Sequence, residues 1–128
     1  MAEPAEAEQL DKEAFAEFLE RSRSGDDGPV VMLNLLALKP DGGRERYMEY
    51  GAAVAPILEG IGGRPLYTAQ GGRALIGDER AWDLVLLVEY PSRAAFLEMI
   101  GSPEYQAIAH LRTEAITASE LHPLELAG

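Results

Sequence analysis

Two stretches of the chain are apolar at both alternating positions. They are Val30 to Ala37 and Asp83 to Tyr90, and each is bounded by turn-forming residues. A strand with one wet face alternates apolar and polar residues, whereas a strand covered on both faces does not. We therefore predict two central strands in a sheet that is buried on two sides.

Helical spacing of apolar residues predicts the layer that covers one side of the sheet. Helices are expected over 9–22, 44–60, 92–100 and 103–114, and further strands over 64–70 and 116–121. Residues 73–76 are expected to continue the second strand or to form a short partner for it. A loose tail is expected from His122 onward.

The order of these elements is an added helix followed by β-α-β-β-α-β, with the last helix broken in two at Gly101. This is the ferredoxin-like order of an α+β fold, a four-stranded antiparallel sheet with helices on one face. The other face needs a further layer, most simply a second copy of the sheet. We therefore predict a homodimer that forms through the sheet faces.

The pattern divides the chain into three parts. Residues 1–28 form an acidic extension with an amphipathic helix, 29–124 form the ferredoxin-like domain, and 125–128 form a tail. The helix of the extension is expected to pack on its own domain or on a partner subunit. A role in recruiting another protein is the alternative.

Composition narrows the function classes. The chain has 128 residues, no cysteine and a formal net charge of −11, which excludes thiolate chemistry and disfavours nucleic acid and anionic membrane surfaces as partners. The acidic N-terminus does not resemble a signal peptide, and the longest apolar run is too short to span a bilayer. A cytoplasmic location is the expectation.

Four stretches together resemble the domain-of-unknown-function family numbered 1330, of the dimeric α/β-barrel superfamily. They are 31–36, then Tyr47 with Tyr50 and Pro56, then 62–64, and finally 88–92 running on to 102–106 and Arg112. The resemblance implies two ferredoxin-like sheets packed face to face as a dimer, with a cleft between sheet and helices in each protomer. It implies no particular reaction.

Asn34 and Glu89 are polar residues inside apolar strands. An unpartnered buried amide costs about 1–3 kcal/mol, so Asn34 is expected to bond either neighbouring backbone or a ligand. Glu89, if buried, needs a cation, and Arg112 is the expected partner. That pair is either structural or the setting of a catalytic carboxylate.

Other side chains are weaker candidates for chemistry. Histidine is the usual side chain for acid–base work near neutral pH, which makes His110 a candidate, but its helical position places it on the polar side. Tyr47 and Tyr50 lie on the core stripe of their helix and could also line a cleft with their phenol groups. Arg64 could bind a carboxylate, although a solvated charge is the simpler interpretation. Arg112 is a further candidate ligand contact. The two histidines lie too far apart to indicate a metal site, and no cofactor is expected.

Three functional hypotheses remain open. In the first, the protein is an enzyme without metal or flavin, similar to the monooxygenases, isomerases and cyclases of the superfamily. It would act on a small organic molecule in the sheet–helix cleft: Asn34 would orient the substrate, Tyr47 would donate a hydrogen bond, and Glu89 or His110 would move a proton. The alternatives are a non-catalytic binding or accessory protein, and a structural dimer.

Overall fold

The computed structural model describes residues 9–127. Most of the acidic start of the predicted extension and the last residue of the predicted tail therefore lie outside the described residues. The elements in chain order are α1 (Lys12–Arg23), β1 (Val30–Leu38), α2 (Gly43–Gly60), β2 (Arg64–Gln70), β3 (Leu84–Tyr90), α3 (Arg93–Gly101), α4 (Pro103–Ala115) and β4 (Ile116–Leu124).

The four strands form one antiparallel sheet in the order β2-β3-β1-β4. The pairing of Asn34 with Leu86 places the even-numbered residues of both central strands on the same side. On that side Val30, Met32 and Leu36 are buried in the core beneath the helices. The predicted ferredoxin-like α+β fold is confirmed.

The odd-numbered residues of the central strands form the opposite side of the sheet, which we call the bare face. It carries Val31, Leu33, Leu35, Val85 and Leu87, all of them only partly buried. No helix among residues 9–127 packs on these side chains, because the helices pack against the even-numbered ones. The bare face is therefore the surface for which the sequence predicts a second layer.

The last strand is longer than predicted. It runs to Leu124, with His122 opposite Leu33 and Pro123 opposite Met32, so the expectation of a loose segment from His122 was wrong. β4 is an edge strand, and an edge strand tolerates proline because one side of its backbone needs no ladder partner.

The connection between β2 and β3, residues 71–83, forms an arm. At its base Gly71 N–H donates to Asp83 O at 3.0 Å and Trp82 N–H donates to Gly72 O at 3.2 Å. Residues 73–76 were expected to continue β2 or to pair with it, and they do neither. Arg73 instead forms a single bridge with Ala81. The tip of the arm is Leu75-Ile76, and both side chains are fully exposed.

Helix α1 packs on α3 of its own domain. Phe18 is buried and meets the ring of Phe96 edge-on, with 5.7 Å between ring centroids. Asp11 starts the helix by accepting a hydrogen bond from Ala14 N–H at 3.0 Å. In the described part of the chain, no helix is both long and apolar enough to cross a membrane.

Candidate functional site

Asn34 lies at the centre of β1, on the side of the sheet that faces the helices. Its neighbours across the ladder are Leu86 and Leu121. The side-chain amide donates one long hydrogen bond, from Nδ2 to Met32 O at 3.3 Å. Within residues 9–127 its Oδ1 accepts none, so half of the amide is free to bind a further group.

Four tyrosines from three elements converge above the sheet. Tyr47 and Tyr50 come from α2, Tyr90 from the end of β3, and Tyr105 from α4. The hydroxyl oxygens of Tyr50 and Tyr105 lie 2.8 Å apart, and the rings of Tyr47 and Tyr50 are 5.4 Å apart between centroids. The phenols thus form a connected polar group inside an aromatic wall.

Arg112 of α4 supplies the charge of this region. Its Nη2 donates to Ser119 Oγ of β4 at 3.4 Å. Its positive charge lowers the pKa of Tyr47, Tyr50 and Tyr90, in opposition to the larger effect of burial. The guanidinium therefore lies within electrostatic range of the phenols.

We call these polar residues the polar seam, because they lie on the helix side of the sheet among the residues of two apolar core clusters. One cluster contains Met32 and the other contains Leu36, and Asn34 lies between those two residues on β1. The members of the seam are Asn34, Tyr47, Tyr50, Tyr90, Tyr105, Arg112 and Ser119.

The seam approaches solvent at the edge of the sheet. Leu121 faces the helix side next to Asn34, yet it is 43% exposed. The helices therefore leave this part of β4 uncovered.

Burial controls the protonation of the seam. It raises the pKa of Tyr47 to about 12 and also raises the pKa values of Tyr50 and Tyr90, with the charge of Arg112 acting in the opposite direction. At neutral pH these phenols keep their protons. They can donate hydrogen bonds, and they do not serve as bases.

We expect this shift to make the fold sensitive to alkali. The folded pKa of Tyr47 is raised above the unfolded value near 10, so its contribution to stability is full below about pH 10 and is lost as pH rises towards about 12. Absorbance titration at 295 nm should show phenols that ionise only above pH 10 in the native protein. Tyr47→Phe should weaken the loss of stability in this window, whereas Tyr67→Phe, at an exposed position, should not. An identical alkaline profile for wild type and Tyr47→Phe would contradict the assignment.

The structure separates the remaining candidates from the seam. Glu89 lies on the bare face, and its Oε1 is 2.9 Å from Nε of Arg64 on the neighbouring strand. The expected pairing of Glu89 with Arg112 was wrong, because the two side chains lie on opposite sides of the sheet. Arg64 is 69% exposed, and His110 is exposed on α4. The two expected proton carriers therefore do not share a cleft with Asn34.

Sequence reasoning proposed five ligand contacts, namely Asn34, Tyr47, Tyr50, Arg64 and Arg112. The structure brings four of them to one side of the sheet and places Arg64 on the other. The sequence reasoning did not identify Tyr90, Tyr105 and Ser119 as members of the same site. A signal for Tyr105 was present, since it precedes Arg112 by two helical turns and so lies on the same face of α4. Tyr90 and Ser119 lie opposite Val30 and Leu36, and so on the helix side of the sheet. These pairings can be assigned only once the strand register is known.

The donor set of the seam does not suit a metal ion. Phenols, an amide and a guanidinium are hydrogen-bonding groups, whereas divalent metals prefer imidazole, thiolate or carboxylate ligands. Among residues 9–127, no three His, Asp or Glu side chains come together in a way that could hold a metal. The seam therefore offers hydrogen-bonding groups and no typical metal ligands.

Comparison with known proteins agrees with this architecture. The sequence profile of a domain of unknown function, DUF1330, matches residues 42–121. A protein of unknown function from Rhodopseudomonas palustris, known from a crystal structure, is 37% identical. It aligns over 94% of this chain and 96% of its own, with a TM-score of 0.79. No protein of curated function matches the chain.

Two more distant structures share the fold alone. A dimeric ferredoxin-like protein of unknown function from Jannaschia sp. CCS1 is 17% identical over 77% of this chain and 100% of its own, with a TM-score of 0.61. A putative antibiotic biosynthesis monooxygenase from Caulobacter crescentus CB15 is 17% identical over 80% of this chain and 92% of its own, with a TM-score of 0.53.

Proposed function

The chain belongs to the DUF1330 family of unknown function, and from that premise we propose that it binds a small oxygenated organic molecule at the polar seam. The observation that carries the proposal is the half-satisfied amide of Asn34, which shares an otherwise apolar core with protonated phenols and the charge of Arg112. A buried amide oxygen without a partner is costly. A ligand with an apolar body and one or two oxygens, one of them a hydroxyl, would provide that partner.

Each group of the seam has a definite part in this binding. The protonated phenols of Tyr47 and Tyr50 donate hydrogen bonds to a ligand oxygen. Arg112 favours an oxygen that carries negative charge, such as a carboxylate, an enolate or a phenolate. The free Oδ1 of Asn34 accepts a hydrogen bond from a hydroxyl group of the ligand. The aromatic rings pack against its apolar part.

Catalysis is the second candidate, and one observation favours it. The hydroxyl oxygens of Tyr50 and Tyr105 are 2.8 Å apart, and the charge of Arg112 acts on Tyr50. Sites that stabilise developing negative charge on oxygen combine such groups. Glu89 and His110 lie outside the seam, so they would not move the proton of such a reaction. We therefore place binding before catalysis, which reverses the order suggested by the sequence.

We also propose that the protein acts as a homodimer that forms through the bare face. Support comes from the apolar side chains that this face exposes and from the relative from Jannaschia, which is described as dimeric. The seam lies on the other side of the sheet, so each protomer would carry a complete binding site.

Ligand screening tests the binding proposal. A library of small aromatic and aliphatic acids, ketones and phenols is assayed by native mass spectrometry, and each hit is titrated by calorimetry. Asn34→Ala and Tyr50→Phe should each weaken the binding of a hit about tenfold or more, since each loses a buried hydrogen bond. Tyr67→Phe, an exposed phenol on the bare face, is the matched control and should bind as the wild type does. Hits whose affinity is the same for all four proteins would place the binding site elsewhere.

A further inference from the structure

The bare face carries a histidine next to its centre. His122 of β4 is paired with Leu33 of β1 and therefore lies on the same side of the sheet. Its Nε2 is 2.8 Å from Oε1 of Glu120, which is paired with Leu35 on that side as well. Neighbouring strands are about 4.8 Å apart, so a layer that covers Leu33 also reaches the pair formed by His122 and Glu120.

The net charge of this pair depends on pH. Histidine is the side chain that gains its charge between about pH 8 and pH 5, a range in which carboxylates in general stay ionised. The pair is neutral when the imidazole is protonated and carries one negative charge when it is not. In a single copy the side chains of His122 and Glu120 are 49% and 52% exposed, so water can compensate the negative charge. An interface formed on the bare face would displace that water.

The groups that face the pair do not titrate in this range. The odd-numbered positions of β1 beside it, from 31 to 35, are all apolar. The arm brings Arg80 and Asp78 to the concavity that the carboxylate of the pair also lines, and these two charges offset each other. A second copy presents the same groups, together with the ion pair of Arg64 and Glu89, whose Nε and Oε1 are 2.9 Å apart. The histidine therefore sets the charge of this part of the face near neutral pH.

We propose that protonation of His122 controls the assembly of the bare-face dimer, which is favoured at slightly acidic pH and weakened at slightly alkaline pH. The inference rests on the proposed dimer and adds its regulation. With a neutral imidazole, each copy brings the uncompensated carboxylate of Glu120 into an apolar interface, which is unfavourable. With a protonated imidazole, the two charges compensate each other as water leaves.

The direction of the pH dependence follows from proton linkage. The dimer binds the proton of His122 more tightly than the monomer does, because the dimer leaves less water to compensate Glu120. Association therefore takes up to one proton per copy, and the dissociation constant rises as the pH increases through the titration range of histidine. The sequence contains a second histidine. This is His110, which is exposed on α4 and reports the general effect of a change in net charge.

Dissociation constants at pH 6 and pH 8 test the switch. Sedimentation over a concentration series measures them, with exchange of labelled subunits as the readout where dissociation is too rare to detect. The wild-type constant should be at least about tenfold higher at pH 8, and His110→Gln should show the same ratio. His122→Gln keeps a hydrogen-bond donor beside Glu120 but cannot be charged, so its constant should be nearly equal at the two pH values. Equal ratios for His122→Gln and the wild type overturn the switch.

Glu120→Gln provides a test of the opposite sign. Without the carboxylate, protonation of His122 places an unpaired cation in the interface, so the dissociation constant should be higher at pH 6 than at pH 8. A Glu120→Gln protein that keeps the wild-type direction overturns the switch. A wild-type dimer with the same constant at both pH values overturns the switch but leaves the dimer in place. A wild-type protein that is monomeric at both pH values overturns the dimer as well.

Discussion

Replacing Arg93 by alanine is expected to destabilise the fold by about 3–5 kcal/mol, because it leaves a buried carboxylate without its cation. Arg93 is the buried charged residue of the described core, with a side chain that is 6% exposed, and Asp27 beside it is 10% exposed. The guanidinium lies 3.6 Å from Asp27 Oδ1 and 3.3 Å from Glu125 Oε1. Its Cζ also lies 5.8 Å from the ring centroid of Phe18, so one side chain joins α1, α3 and the segment after β4.

Denaturant titration of Arg93→Ala and Arg46→Ala measures the effect. Arg46 is also ion-paired, with Nη1 3.2 Å from Glu49 Oε2, but both side chains are largely exposed, so its loss should cost less than about 1 kcal/mol. Adding Asp27→Asn to Arg93→Ala removes the uncompensated charge and should recover part of the stability. The recovery is incomplete because the amide has one acceptor oxygen for the two backbone N–H groups that the carboxylate binds. Losses of similar size at positions 93 and 46 would show that burial does not strengthen this network.

The importance of Arg93 could not be predicted from the sequence. Asp27 caps α3 by accepting from the backbone N–H of Arg93 at 2.9 Å and of Ala94 at 3.1 Å, across a separation of 66 residues. Hydrophobic periodicity indicated the helix that begins at Arg93, since periodicity depends on local spacing. It contains no information on which distant turn supplies the cap.

The sequence did predict the side of the sheet on which Asn34 lies, because alternation assigns it to the side of Val30 and Met32. It did not show whether Glu89 lies on the same side of the sheet as Asn34. That depends on the register, which pairs Asn34 with Leu86. Alternation cannot choose between two registers when both faces of each strand are apolar. Glu89 and Arg64 were assigned to the wrong side of the sheet for this reason, although each residue had been placed in the right strand.

Leu33→Asp is expected to dissociate the proposed dimer, with a dissociation constant raised about a thousandfold or more. Leu33 is at the centre of the bare face, between Leu87 of β3 and His122 of β4. In a two-fold dimer the change buries two carboxylates in an apolar interface, and the cost of each uncompensated charge is several kcal/mol. Light scattering at micromolar concentration should therefore report a monomer. Met48→Asp, on the exposed side of α2, adds the same charge away from the interface and should remain dimeric.

The same variant also tests whether the polar seam is complete within one protomer. The seam and the bare face lie on opposite sides of the sheet, so a folded Leu33→Asp monomer should bind a seam ligand with nearly the affinity of the wild type. Circular dichroism confirms that the monomer is folded, and calorimetry with the same ligand measures its affinity. A folded monomer that has lost binding would mean that the partner subunit contributes to the site. If the Leu33→Asp protein stays dimeric, the bare face is not the dimer interface, because an interface formed there would have to bury two carboxylates.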